Sequence, residues 1–319
     1  MKRLVTLSFI LVIGFVSICF ATVDNPQQFH SAEVAVFNGS DSLYGTLLTP
    51  HKVESPAVVL IIAGSGATNR DGNQFGMTNN SLRFLAEGLA LQGIASVRYD
   101  KRCIGKSKCS QTESNLVFDD FINDASVWLR ELKQSENFSK VYVAGHSEGS
   151  LIGMVAAQRV GIDGYISIAG SGKRIDKVIL EQLSIYPEAM YNVSKAILDT
   201  LLQGNTVQNV PPLLNNLFRP SVQPYFINWL KYEPVEVLNS FEVPILIVQG
   251  TTDIQVSVEN AELLSNANPR AKLVIIEGMN HVLKQAEIDR TKNMSTYSNP
   301  NLPIAPKLVE AISDFILTH

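Results

Sequence analysis

The chain is poor in the residues that hold metals. It has three cysteines and five histidines in 319 residues, with no His-x-x-x-His and no Cys-x-x-Cys. That spacing supports neither an imidazole nor a thiolate site, so no metal is expected. An excess of basic charge is also missing. Lys and Arg number 26 against 30 Asp and Glu, a net charge of −4, which leaves no electrostatic footprint for nucleic acid. The glycine cluster Gly64-Ser65-Gly66 lacks the Gly-x-x-x-x-Gly-Lys and Gly-x-Gly-x-x-Gly patterns that cradle phosphates. Internal repeats and low-complexity tracts are absent. Long apolar runs are scarce too: one stretch, Leu4 to about Phe20, follows Lys2 and Arg3 and ends at Ala21. A short basic region, an apolar core and a small terminal residue predict a secretory signal over residues 1–21, cleaved after Ala21. The alternative is an uncleaved membrane anchor, since the run is near the lower length limit for spanning a bilayer. Lipid attachment at Cys19 is disfavoured by the bulky Ile18 before it. Export would put Cys103 and Cys109 in an oxidising compartment, where their spacing favours a small disulfide-closed loop over two unpaired thiols.

What is present points to a globular α/β chain. Hydrophobic content of 45% with 18% charged residues is that of a packed soluble domain. Ala32–Phe37 and Leu43–Thr49 alternate in character around Asn38-Gly39-Ser40-Asp41, a hairpin signal. Ala57–Ala63 is continuously apolar, as in a strand buried on both faces. Helical spacing follows at Ser81–Gln92, then a strand at Ile94–Tyr99, a helix at Phe118–Leu132, strand Val141–Ala144, helix Ser150–Val160 and strand Tyr165–Ala169. Strands Ile245–Gln249 and Leu273–Ile276, with helices Val258–Ala267 and Pro306–Leu317, resume the alternation. This predicts a mostly parallel sheet with helices on both faces. Between the two blocks the pattern breaks. Residues 170–244 hold helical stretches at Ile175–Leu183, Tyr191–Gln203 and Leu213–Leu217, with Pro211, Pro212, Pro220 and Pro224 expected to interrupt them. The expected organisation is a core from 22–169 and 245–319 with a helical cap, 170–244, inserted after the sixth strand.

Gly145-His146-Ser147-Glu148-Gly149 lies between a strand and a helix, the setting of a nucleophile elbow. The turn is too tight for side chains two positions either side of the serine. A serine hydroxyl needs a base, and the base needs an orienting carboxylate. Asp253 follows the strand Ile245–Gln249 and His281 follows Leu273–Ile276, the chain order Ser, acid, His that this sheet type requires. Other candidates fit less well. His30 and His51 precede the third strand, His319 is the last residue, and Asp176 lies inside a helix. His146, within the elbow, is read as packing or orienting. The oxyanion of acyl transfer would be held by the backbone N–H of Glu148 and by one from the loop 64–72, with Ser65 preferred to Gly66. Arg70, Asp71, Asp100, Lys101 and Arg102 are read chiefly as ion pairs holding loops. Tyr225, Phe226 and Trp229 fit an acyl pocket or the cap core equally well.

Five stretches together resemble the α/β-hydrolase superfamily, and within it bacterial esterases and acyl-peptidase-like hydrolases: Ala63–Gly66 with Asn69–Gly72, Tyr99–Arg102, Gly145–Ser150, Asp253–Val256 and Asn280–Lys284. The resemblance spans about Val34 to Leu317. It implies a carboxylesterase for short acyl chains, with Ser147, Asp253 and His281 as the triad. The family usually has glycine after Asp-Lys-Arg, where this chain has Cys103. The expected function is an exported serine hydrolase that cleaves small-molecule carboxylic esters through an acyl-enzyme and needs no cofactor. A peptidase on the same fold and a non-catalytic binding member are the alternatives.

Overall fold

Strands that are apolar at every position need a cover on each face, and the chain supplies two sets of helices to give it. The computed structural model describes residues 29–319; the expected signal, 1–21, lies outside them. The strands are β1 (Phe29–Asn38), β2 (Asp41–Pro50), β3 (Val58–Ile62), β4 (Ala95–Tyr99), β5 (Val141–His146), β6 (Gly164–Ile168), β7 (Ile245–Gly250) and β8 (Ala271–Ile276). The helices are α1 (Ser81–Leu91), α2 (Phe118–Gln134), α3 (Glu148–Val160), α4 (Ile175–Leu183), α5 (Glu188–Leu202), α6 (Asn215–Phe218), α7 (Gln223–Trp229), α8 (Pro234–Asn239), α9 (Val258–Ala267), α10 (Arg290–Ser295) and α11 (Pro306–Thr318).

The eight strands form one sheet in the order β1-β2-β4-β3-β5-β6-β7-β8. The β1–β2 hairpin and the β2–β4 pair are antiparallel, and every later pairing is parallel. Side chains of β3 alternate between two cores, as the two-residue period of a strand dictates. Val58, Leu60 and Ile62 meet Leu129, Ile152 and Met154 of α2 and α3. Val59 and Ile61 meet Leu85 and Leu89 of α1 and Leu308 and Phe315 of α11.

Between β6 and β7 lie α4 to α8. Their buried residues Ile197, Phe218, Phe226 and Trp229 join the core beside α2 and α3. Trp229 stacks on Phe118 at 5.0 Å between ring centres, fastening α7 to α2. The prolines of this segment start helical turns rather than stop them. Pro212 and Pro220 open 3₁₀ turns, and Pro224 and Pro234 stand in the first turn of α7 and α8. There the missing N–H is one that a helix leaves unpaired anyway.

Parallel strands share a direction, so the loops after β3, β5, β7 and β8 open on the same edge of the sheet. That edge is where ligands bind in open α/β sheets.

Candidate active site

The turn after β5 is closed by contacts that exclude side chains. A Cβ on Gly145 would lie 2.1 Å from the carbonyl oxygen of Gly149, and one on Gly149 would lie 2.5 Å from that of Ile62. Between them Ser147 adopts φ 55° and ψ −121°, a conformation that costs a non-glycine residue about 1–3 kcal/mol. The surroundings enforce it: the Ser147 N–H donates to the Ile168 carbonyl at 2.9 Å, on the neighbouring strand β6.

The loops after β7 and β8 bring Asp253 and His281 to this serine. His281 Nε2 lies 3.1 Å from Ser147 Oγ, and His281 Nδ1 lies 2.8 Å from Asp253 Oδ2. The carboxylate fixes the tautomer, because an N–H at Nδ1 must face it and Nε2 is left bare toward the hydroxyl. Asp253 is itself held. Its Oδ1 accepts the N–H groups of Gln255 at 2.8 Å and Val256 at 2.9 Å, and Gln249 Nε2 donates to Oδ2 at 3.0 Å. Burial alone would raise the Asp253 pKa; the adjacent imidazole and the two N–H donors outweigh it and hold the carboxyl below its ordinary value. His281 is anchored through its neighbours. Asn280 is fully buried and donates to Asn293 and Thr296. His146 Nε2–H donates to the His281 carbonyl at 2.8 Å. Burial and the proximity of His281 push the His146 pKa down to about 3, so this imidazole is a neutral donor.

The loop after β3 is fixed from two sides. Lys101, 3% exposed, donates from Nζ to the Gly64 carbonyl at 2.7 Å and pairs with Glu148 at 3.4 Å. Thr68 Oγ1 and Gln74 Nε2 donate to the Ser65 carbonyl. No peptide bond here is cis, so the Ser65 N–H points opposite to the Gly64 carbonyl in the same peptide plane, away from Lys101. The Glu148 N–H lies in the first turn of α3, where helix donors have no intrahelical partner. The other charges of the region pair among themselves: Arg70 with Asp100, Arg98 with Asp71, and Arg102 with Asp124 and Asp41.

Two cavities meet at Ser147. One, about 160 Å³, is walled by apolar residues including Leu151, Ile179, Leu217, Phe226 and Trp229. The other, about 270 Å³, has a polar wall and contains His281. Ser65 lines both. Phe226 and Trp229 thus serve the pocket and the core at once, while Tyr225 turns inward against Phe118 and Phe121. Among the described residues no cluster of three or more His, Cys, Asp or Glu could hold a metal ion.

Cys103 and Cys109 are joined by a disulfide with 5.1 Å between Cα atoms. Cys103 has φ 63°, the left-handed region in which glycine is at ease. A glycine at this position would adopt that conformation without strain.

Sequence reasoning brings forward Ser147, Asp253, His281, Glu148 and Ser65, and the structure gathers all five at one edge of the sheet. It does not single out Lys101, which reads as one charge in a rim cluster, or Gln249, which reads as part of an apolar strand. The Gly64 carbonyl facing β4 is the only signal for the first, and it requires coordinates.

This sheet order and elbow define the class of fold: it is that of the α/β hydrolases. The family model for serine aminopeptidase, S33, matches residues 75–210, which include Ser147 but neither Asp253 nor His281. Esterase EstD of Thermotoga maritima is 27% identical over 269 residues, covering 82% of this chain. The chain spans 62% of the length of that relative. Among solved structures, Est1E from Butyrivibrio proteoclasticus with ferulic acid bound superposes with a TM-score of 0.60 at 19% identity, covering 89% of this chain and 98% of that one. The Pyrococcus furiosus esterase Pf2001 gives 0.56 at 16% identity over 91% and 93%. Proline iminopeptidase of Mycobacterium smegmatis gives 0.56 at 13% over 90% and 98%.

Proposed function

We propose that the protein is a serine hydrolase that cleaves small-molecule carboxylic esters of short acyl chains through an acyl-enzyme. The observation that carries this reading is the unbroken run of hydrogen-bonding distances from Asp253 through His281 to a serine held on a strained elbow. In this scheme His281 Nε2 takes the Ser147 proton as Oγ attacks the ester carbonyl. The N–H groups of Glu148 and Ser65 hold the resulting oxyanion. The tetrahedral intermediate collapses, the carbon–oxygen bond to the alcohol breaks, and His281 returns the proton to the leaving oxygen. Water, deprotonated by the same imidazole, then attacks the acyl carbon; the bond from that carbon to Ser147 Oγ breaks, His281 returns the proton to Oγ, and the acid leaves. Asp253 orients the base and stabilises it when charged. No cofactor enters these steps.

The name of the related EstD supports an ester substrate, and the name of the matching family model brings the peptidase reading forward. An aminopeptidase must bind a free α-ammonium. Glu148 is the one carboxylate among the residues lining the two cavities, and Lys101 already engages it. That favours the ester. We further propose that the protein is exported, which the disulfide fits; a mature chain beginning at Thr22 would establish it.

The test compares p-nitrophenyl butyrate with aminoacyl p-nitroanilides on the wild type and on Ser147→Ala. Ester turnover that falls by about 10⁶ in the variant, with negligible amide turnover, is the expected result. Full ester turnover by Ser147→Ala would refute the nucleophile. Amide turnover at or above that of the ester would replace the substrate class.

A further inference from the structure

The two cavities at Ser147 can be assigned to the two halves of an ester. The imidazole must reach the leaving oxygen to protonate it, so the alcohol half lies on the side of His281. His281 lines only the larger, polar cavity. The smaller, apolar cavity lies across Ser147 and takes the acyl half.

The wall of the larger cavity is specific in kind. Thr68, Gln74, Asn79, Ser81, Gln255 and Tyr297 line it, and no Asp, Glu, Lys or Arg does. An alcohol carrying a phosphate, carboxylate or ammonium would find no counter-charge there. The neutral groups have hydrogen-bonding capacity left over. Asn79, 1% exposed, spends its Oδ1 on the Ser81 N–H, and its Nδ2 has no partner among the described residues. Gln74 gives its amide hydrogens to the Ser65 carbonyl and Thr68 Oγ1, which leaves Oε1 to accept. The Tyr297 hydroxyl accepts from Gln255 Nε2 at 3.3 Å and keeps its own proton to donate. A donor, an acceptor and a second donor around one space suit hydroxyl groups, which do both. An alkyl alcohol would expel the water and leave those groups unpaired.

Resting on the ester-hydrolase reading above, we infer that the enzyme prefers esters that join an apolar acid to a neutral polyhydroxylated alcohol, glycerol-like or sugar-like, gripped by Asn79, Gln74 and Tyr297.

The experiment uses one acid and several alcohols. Butyrate esters of methanol, hexanol, glycerol and glucose all form the same butyryl-enzyme, so differences in kcat/KM arise on the alcohol side. The expected result is a kcat/KM for glyceryl or glucosyl butyrate at least about 10-fold above hexyl butyrate, with the faster of the two identifying the polyol. Tyr297→Phe, and Asn79→Asp, which keeps the oxygen bound to the Ser81 N–H but loses the free donor, should each cut the polyol-to-hexyl ratio by about 5-fold. Hexyl butyrate equal to or faster than both polyol esters, or a ratio indifferent to both variants, would overturn the inference while leaving the hydrolase intact. No turnover of any butyrate ester, with no labelling of Ser147 by a fluorophosphonate, would overturn both.

Discussion

Replacing Lys101 by methionine removes one charge and two hydrogen bonds from a place that water barely reaches. The Nζ group now ties the Gly64 carbonyl at 2.7 Å to the Glu148 carboxylate at 3.4 Å, so the loop after β3 and the first residue of α3 share one cation. These are the two segments whose N–H groups we assign to the oxyanion. Without the tether the Gly64–Ser65 peptide can rotate, and the Ser65 donor leaves its alignment. Loss of one oxyanion donor costs about 3 kcal/mol of transition-state stabilisation, so Lys101→Met should lower kcat by up to about 100-fold. KM should change little, because the donor acts on charge that exists only in the transition state. Stability will fall as well. Glu148 would keep its carboxylate buried without the cation that now faces it, and breaking a buried pair from one side costs about 3–5 kcal/mol. The double variant Lys101→Met/Glu148→Gln separates the two effects. It removes the orphaned charge and keeps the Glu148 backbone, so the fold should recover while kcat stays low. Urea unfolding and steady-state hydrolysis of p-nitrophenyl butyrate measure the two. A well-folded double variant with wild-type kcat would refute the positioning argument.

Acid should begin to destabilise the protein well above the carboxylate range. His146 is pushed down to about 3 in the fold by burial and by His281, against about 6.5 unfolded. Between those values the unfolded chain binds a proton that the folded one refuses. This contribution is therefore complete above about pH 6.5 and shrinks as pH falls, by up to about 1.4 kcal/mol per unit. The carboxyls held low, such as Asp100 and Asp253, add their losses only below about pH 4. Urea midpoints between about pH 6.5 and 5 thus isolate the histidine, and a flat profile there would contradict its burial as a neutral donor. Opening the disulfide with Cys103→Ser/Cys109→Ser should cost about 2 kcal/mol of loop-closure entropy. Cys103→Gly/Cys109→Ser should regain about 1 kcal/mol, because glycine tolerates the positive φ; equal urea midpoints for the two would count against strain at Cys103.

The elements that could be read from the sequence are those whose pattern is local. The unbroken apolar run of β3, the helical spacing of α1 and α2, and the glycines of the elbow each carry their own period or steric demand. Thus Ser147, Asp253 and His281 can be assigned to the loops after β5, β7 and β8, but their hydrogen-bonding distances depend on the parallel register of β5, β6, β7 and β8. The short helix α7 escapes the same reasoning because Pro224 suggests an interruption, whereas it fills a first-turn position with no hydrogen bond to lose. Helix α10 is polar and has no apolar stripe to reveal it. Its Asn293 is fully buried and donates to the carbonyls of Thr252 and Glu287, a role that only tertiary contact defines. The β8 strand begins at Ala271, ahead of the expected Leu273. As the outermost strand it is half-covered, and its first two residues, Ala271 and Lys272, lack the apolar signal of its centre.

The clasp between His146 and the main chain of His281 has a mechanical consequence. In the proposed mechanism the proton acceptor hangs from the residue next door to the attacking oxygen, so drift of one partner pulls on the other. Warming the molecule cannot loosen the imidazole without prying apart the strand-turn-helix that presents the serine. Loss of activity on warming should therefore track loss of the folded sheet, which activity and circular dichroism followed over one temperature ramp would check.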